Sequence, residues 1–136
     1  MKKEIKFSLV FRDMWQSAGK YVPTVDQLTR VAPAIIEMGC FARVETNGGG
    51  FEQVNLLFGE NPNKAVRAWT KPFHEAGIQT HMLDRALNGL RMSPCPADVR
   101  RLFYKVKKLQ GTDITRIFCG LNDPRNVIPS IQYAHE

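Results

Sequence analysis

Two periods of hydrophobic and polar positions alternate along this chain. Residues 6–11 (KFSLVF) form a short, mostly apolar run of strand length that gives way at once to Arg12, Asp13 and Gln16. Across residues 24–39, Val25, Leu28, Val31, Ala32, Ile35 and Ile36 recur at helical spacing. Thr24 and Gln27 fit a capping box there, and Gly39 marks the stop. Pro33 lacks a backbone donor and predicts a kink or a boundary inside that helix.

The same alternation continues. Residues 41–45 read as a strand ending at Glu45, followed by Asn47 and three glycines, which suit a turn or a close backbone approach. No helix is expected to open directly from those glycines. Asn61 and Pro62 start a helix whose stripe is Ala65, Val66, Trp69 and Phe73, ending at Gly77. Residues 78–83 are a third strand. A helix over residues 96–109 places Val99, Leu102, Phe103, Val106 and Leu109 on an apolar face, with Arg100, Arg101, Lys105, Lys107 and Lys108 on a solvated one. Residues 114–119 form a fourth strand, and a fourth helix starts at Pro124. Met82, Met92 and the helically spaced aromatics read as core.

Strands alternating with helices imply parallel βαβ units, because a crossover helix must pack back on the sheet. Chemistry in such folds sits beyond the carboxyl ends of the strands. That rule selects Arg12, Asp13 and Gln16; Glu45 and Asn47; Asp84, Arg85 and Asn88; and Asn122 and Asp123. A guanidinium grips a carboxylate through paired hydrogen bonds, a carboxylate ligates a cation, and a carboxamide holds a carbonyl or hydroxyl oxygen. The set suits a small anionic oxo-acid on a metal. It equally suits a rim of ion pairs closing a barrel mouth.

Composition narrows the classes. The 136 residues fit one domain, and 43% hydrophobic content is ordinary for a globular protein. No apolar run reaches the roughly 20 residues of a spanning helix, and the opening MKKEIKF lacks a secretory leader's apolar stretch. A cytoplasmic protein without direct membrane insertion is expected. The net charge of +6 is spread along the chain with no nucleic-acid motif, so no nucleic-acid partner is expected. Cys40, Cys95 and Cys119 are far apart, which indicates free thiols, and His74, His81 and His135 lack metal-ligand spacing.

Four ordered motifs then converge: RDMWQ from Arg12, VETNGGGF from Val44, LDRALN from Leu83 and RIFCGLND from Arg116. Together they resemble the N-terminal part of the biotin-dependent carboxyltransferases, the group of oxaloacetate decarboxylase alpha subunits, transcarboxylase and pyruvate carboxylase. The RDxxQ motif is shared in similar form by Claisen- and aldol-type metallo-synthases and lyases, so that chemistry stands as an alternative.

The resemblance implies an α/β fold, the N-terminal half of a TIM (β/α)8 barrel with about four βα units, as one partial carboxyltransferase domain over residues 1–136. It implies Asp13 as a metal ligand and Arg12, Gln16 and Arg85 as oxo-acid-binding residues, with Glu45, Asn88, Asn122 and Asp123 supporting at strand ends. It also implies a divalent metal (zinc, cobalt or manganese) and a biotin carried on another domain or subunit. Carboxyl transfer between oxaloacetate and biotin would pass through a pyruvate enolate. Two departures stand out: the family's R-G-Q-N appears here as Arg85, Ala86, Leu87 and Asn88, and its F-D-A-L-N-D carries Cys119 and Gly120 in place of Asp and Ala. The family's later ligands, a modified Lys and an H-x-H pair, have no counterpart here. A complete barrel takes about 250 residues, so the expected partners are the rest of a carboxyltransferase chain or a biotin carrier protein, with a homo-oligomer as a further arrangement. A non-catalytic half-barrel scaffold is the competing reading.

Overall fold

The computed structural model describes residues 4–18 and 21–136. Four strands, β1 (Phe7–Leu9), β2 (Phe41–Gly48), β3 (Gln79–Asp84) and β4 (Ile114–Ile117), pair in parallel in the order β1-β2-β3-β4. Helices connect them: α1 (Asp13–Ser17), α2 (Val25–Glu37), α3 (Gly49–Leu57), α4 (Pro62–Glu75), α5 (Ala97–Leu109) and α6 (Pro124–His135). This is half a (β/α)8 barrel, four βα units in chain order.

Local chemistry explains most of these boundaries. Thr24 and Gln27 form the reciprocal capping box at the start of α2. The Asn61 side chain accepts from the amides of Asn63 and Lys64, and Pro62 occupies the first turn of α4. Leu28, Ala32 and Ile35 of α2, Val44 of β2, Phe51 of α3 and Val66, Trp69 and Phe73 of α4 form one buried core. Trp69 meets Phe73 edge-on at 4.8 Å and Phe11 at 5.5 Å. Each large side chain fully buried this way contributes about 1.5–3 kcal/mol.

Three expectations are corrected. Pro33 neither ends nor bounds α2, which runs through it; the proline lies on the exposed side, where water can satisfy the carbonyl its missing N–H leaves. A helix, α3, does open directly from the glycines, at Gly49. The helix over α5 has the expected span but a rotated seat: Arg100, Tyr104 and Lys107 are buried, whereas Val99, Leu102, Val106 and Leu109 are exposed. Polar partners account for that seat. The Lys107 ammonium donates to Glu52 of α3 and to Gln110 Oε1 at 2.9 Å, Tyr104 donates to Asp84, and Arg100 donates to Ser130 at 3.4 Å. Burial lowers the Lys107 pKa to about 7.

One irregularity bears directly on the site. In β2, Glu45 pairs with His81 but Asn47 pairs with Met82, so Thr46 is an extra residue, a bulge. Facing alternates along a strand, and one inserted residue reverses it. Glu45 and Asn47, two apart in sequence, therefore face opposite sides of the sheet.

Candidate functional site

Val44 enters the helix-side core, so its neighbour Glu45 faces the opposite, inner side of the sheet. Its carboxylate is fully buried. Arg12 Nε donates to Glu45 Oε1 at 2.7 Å, and Arg116 Nη2 donates to Oε2 at 2.6 Å. Arg12 is itself buried, its backbone N–H donates to the Glu45 carbonyl at 3.2 Å, and its Nη1 reaches Asp13 Oδ1 at 3.2 Å. His81 Nδ1 lies 3.9 Å from Glu45 Oε2, and its Nε2 shares a 2.9 Å hydrogen bond with Ser8 Oγ. Burial, with the charges of Arg116, Arg43 and Arg12, pulls the His81 pKa down to about 4. The ring is neutral at pH 7.

Another arginine, Arg85, approaches Arg12 from the far side of the glycines. A methyl group on Gly48 would lie 3.1 Å from Arg12 Cδ, and one on Gly49 would lie 3.1 Å from Arg85 Cζ and 2.8 Å from the Leu90 carbonyl. The two guanidinium-bearing chains thus cross adjacent glycines where β2 ends and α3 opens, the close backbone approach expected of this stretch. The positive end of the α3 dipole points to the same spot. Arg85 Nη1 donates to the Arg91 carbonyl at 3.3 Å and reaches the Met92 sulfur at 2.9 Å. Met92, expected in the core, is exposed.

The remaining selected residues divide. Asp13 is 61% exposed at the start of α1. The Gln16 side chain lies outside the described residues. Asn88 sits half-buried in a short 3-10 turn after Arg85, and the exposed Asn122 adopts a left-handed backbone with φ 53° before α6. Asp123 caps α6, accepting from the Arg125 amide at 2.9 Å and pairing with its guanidinium, which lowers the Asp123 pKa. Asn47, turned by the bulge, donates to Thr112 Oγ1 at 3.3 Å in the helix layer. Asp84 also leaves the inner face: it is buried against Tyr104, and burial raises its pKa to about 6 against that hydrogen bond. Cys119 accepts from Asn126 Nδ2 at 3.3 Å.

Strand-end position alone does not single out Ser8, His81 or Arg116 as members of this cluster. The signal is strand parity: Glu45 pairs with His81, and Ser8 and Arg116 lie on the same face of the neighbouring strands. Metal binding fits the described residues poorly. Asp13 is a single donor already near Arg12, and among the described residues no three His, Cys, Asp or Glu side chains converge. A catalytic zinc-type site takes about three protein ligands. Among the described residues, no helix is long and apolar enough to cross a membrane.

No protein-family model matches the chain. It is 29% identical to a pyruvate carboxylase subunit of Methanothermobacter thermautotrophicus over 126 residues, which cover 93% of this chain and 22% of that relative. The corresponding pyruvate carboxylase subunit of Methanocaldococcus jannaschii is 29% identical over 124 residues, covering 91% and 22%. The chain therefore spans about a fifth of the length of these relatives. The carboxyl transferase domain of Rhizobium etli pyruvate carboxylase, solved with pyruvate, superposes with a TM-score of 0.87 at 22% identity, over 98% of this chain and 23% of that one. The same domain solved with oxamate and biotin gives 0.84 at 18% identity, with the same coverages. Sequence and fold thus indicate one relationship: the chain resembles the biotin-dependent carboxyltransferases, over half of their barrel.

Proposed function

We propose that this chain forms one wall of a carboxyltransferase site that receives an oxo-acid such as pyruvate or oxaloacetate. The observation that carries the reading is the crossing of Arg12 and Arg85 over Gly48 and Gly49 at the opening of α3. Guanidinium groups there match a carboxylate in shape and charge. Arg12 and Arg85 hold the substrate carboxylate, Gln16 takes the oxo-acid-binding role that the resemblance implies, and Glu45 fixes Arg12 in place. Transfer of a carboxyl group from oxaloacetate leaves an electron pair that becomes a pyruvate enolate, and cationic donors lower the energy of that charge as it develops.

Biotin arrives on another domain or subunit, and the opposite wall comes from the rest of a carboxyltransferase chain or from a second copy. A divalent ion would take Asp13 as one donor, and the described residues supply no group of three His, Cys, Asp or Glu to complete its shell. A cytoplasmic setting suits the free thiols.

Binding of oxamate and pyruvate to the intact chain, measured by calorimetry, tests the reading. Arg12→Lys and Arg85→Gln are each expected to weaken oxamate at least tenfold, while Arg91→Gln leaves it unchanged. A folded chain that binds neither acid overturns the proposal. That outcome supports the second reading, a non-catalytic scaffold, which the satisfied Arg12–Glu45–Arg116 cluster also suits. Binding of an acyl-CoA in place of the oxo-acids would instead favour a Claisen-type enzyme.

A further inference from the structure

A cavity of about 530 Å³ lies between α5, β4 and α6, within the range of small-molecule sites. Its floor includes Met82, Ile114 and Thr115, and Tyr133 and Ala134 of α6 form part of its wall. Met82 pairs with Thr115 across β3 and β4, whereas the next pair, Leu83 and Arg116, faces the other side of the sheet. The cavity is thus separated by the sheet from the Arg12–Glu45 cluster.

We propose that this cavity binds a small carboxylate with an apolar body, in chemical class a medium-chain fatty acid. The lining is largely hydrocarbon, which selects an apolar body. Its charges select the head. Asp113 is held by His74 at 2.8 Å and by the Thr80 amide at 2.9 Å, and Glu136 is paired with Arg101 at 2.7 Å. Lys107 spends its ammonium on Glu52 and Gln110, leaving its stem to the cavity. Lys105 pairs with no acidic group among the described residues, and Lys108 has only a 3.5 Å contact with Asp113. The uncommitted charge around the cavity is therefore positive.

Thr115 is half-buried on the cavity floor, with its hydroxyl oxygen shielded from the open space. The carboxylate head is therefore met by the lysine ammonium groups at the rim.

Titration of the intact chain with octanoate, octan-1-ol and octylammonium, followed by the NMR shifts of the Thr115 and Met82 methyl groups, tests the assignment. Octanoate is expected to bind saturably and shift both methyls, with octan-1-ol at least fivefold weaker and octylammonium without effect. The double variant Lys105→Gln, Lys108→Gln, which alters only the helix surface, is expected to weaken octanoate at least fivefold and leave octan-1-ol unchanged. Ala134→Trp, in the wall that α6 contributes, is expected to block both. Equal binding of octanol and octanoate, binding of octylammonium, or octanoate affinity indifferent to these variants would overturn the proposal. Oxamate is expected not to compete, so failure here leaves the oxo-acid reading untouched.

Discussion

Arg12 Nε lies 2.7 Å from Glu45 Oε1, with both side chains almost wholly removed from solvent. The contact joins the segment after β1 to the middle of β2, and the buried acid and base are each costly without the other. Glu45→Gln is expected to destabilise the chain by about 3 kcal/mol, because it leaves Arg12 charged and buried. Arg116 is half-exposed on the same carboxylate, and water takes up much of what it loses. Arg116→Gln is expected to cost less than about 1 kcal/mol. Urea unfolding of both variants checks this ordering, and equal losses would refute it.

Gly49 has no room for a side chain. A methyl group there meets the Leu90 carbonyl at 2.8 Å and Arg85 Cζ at 3.1 Å. Gly49→Ala is expected to lower stability by about 1–3 kcal/mol and to displace Arg85. Calorimetric titration with oxamate should show weakened binding at a temperature where the variant is still folded.

Ala86 sits where the resembling family carries glycine, and its φ is 48°, in the left-handed region. An alanine there costs about 1 kcal/mol relative to its preferred conformations. Ala86→Gly is expected to recover about 0.5–1 kcal/mol, seen as a rise in thermal midpoint. A fall in the midpoint would show that the methyl group, buried in this turn, matters more than the backbone.

Two buried groups titrate in opposite senses. The His81 pKa is depressed from 6.5 to about 4, so the unfolded chain binds more protons between those values and stability is lost as pH falls through them. Asp84 is raised from 3.8 to about 6, so the native state binds more protons and stability falls as pH rises through that window. The two slopes oppose each other between about pH 4 and 6. His81→Gln should therefore steepen the loss of stability with rising pH there, and Asp84→Asn should produce a gain. Unfolding free energies measured across this acidic range and up to neutrality decide it; parallel profiles in both variants would contradict the assignment.

Helices α2 and α4 and the four strands are legible in the sequence because caps, stripes and apolar runs are local signals. Thr24, Gln27, Asn61 and Pro62 act within one turn of their own sequence. The seat of α5 is not legible, since Lys107 is drawn inward by Glu52, 55 positions away in the chain. Helix α3 is hidden behind residues with poor helix propensity, Gly49 and Gly50. At the site, strand-end position selects Arg12, Glu45 and Arg85 from sequence. His81 reads as an isolated histidine, because only the register of β2 with β3 sets it against Glu45.

The extra residue at Thr46 makes the pairing of β2, as much as its composition, decide what the inner wall displays. Were the pairing to run regularly through Thr46, Asn47 would turn from Thr112 to the inner face beside Glu45, and every residue beyond would move one place along β3. A chain shorter by Thr46 would instead keep both facings, since Glu45 and Asn47 would then oppose His81 and Met82 in regular alternation. Losing the extra residue is therefore a quieter change to the pocket wall than losing the irregularity while keeping the residue.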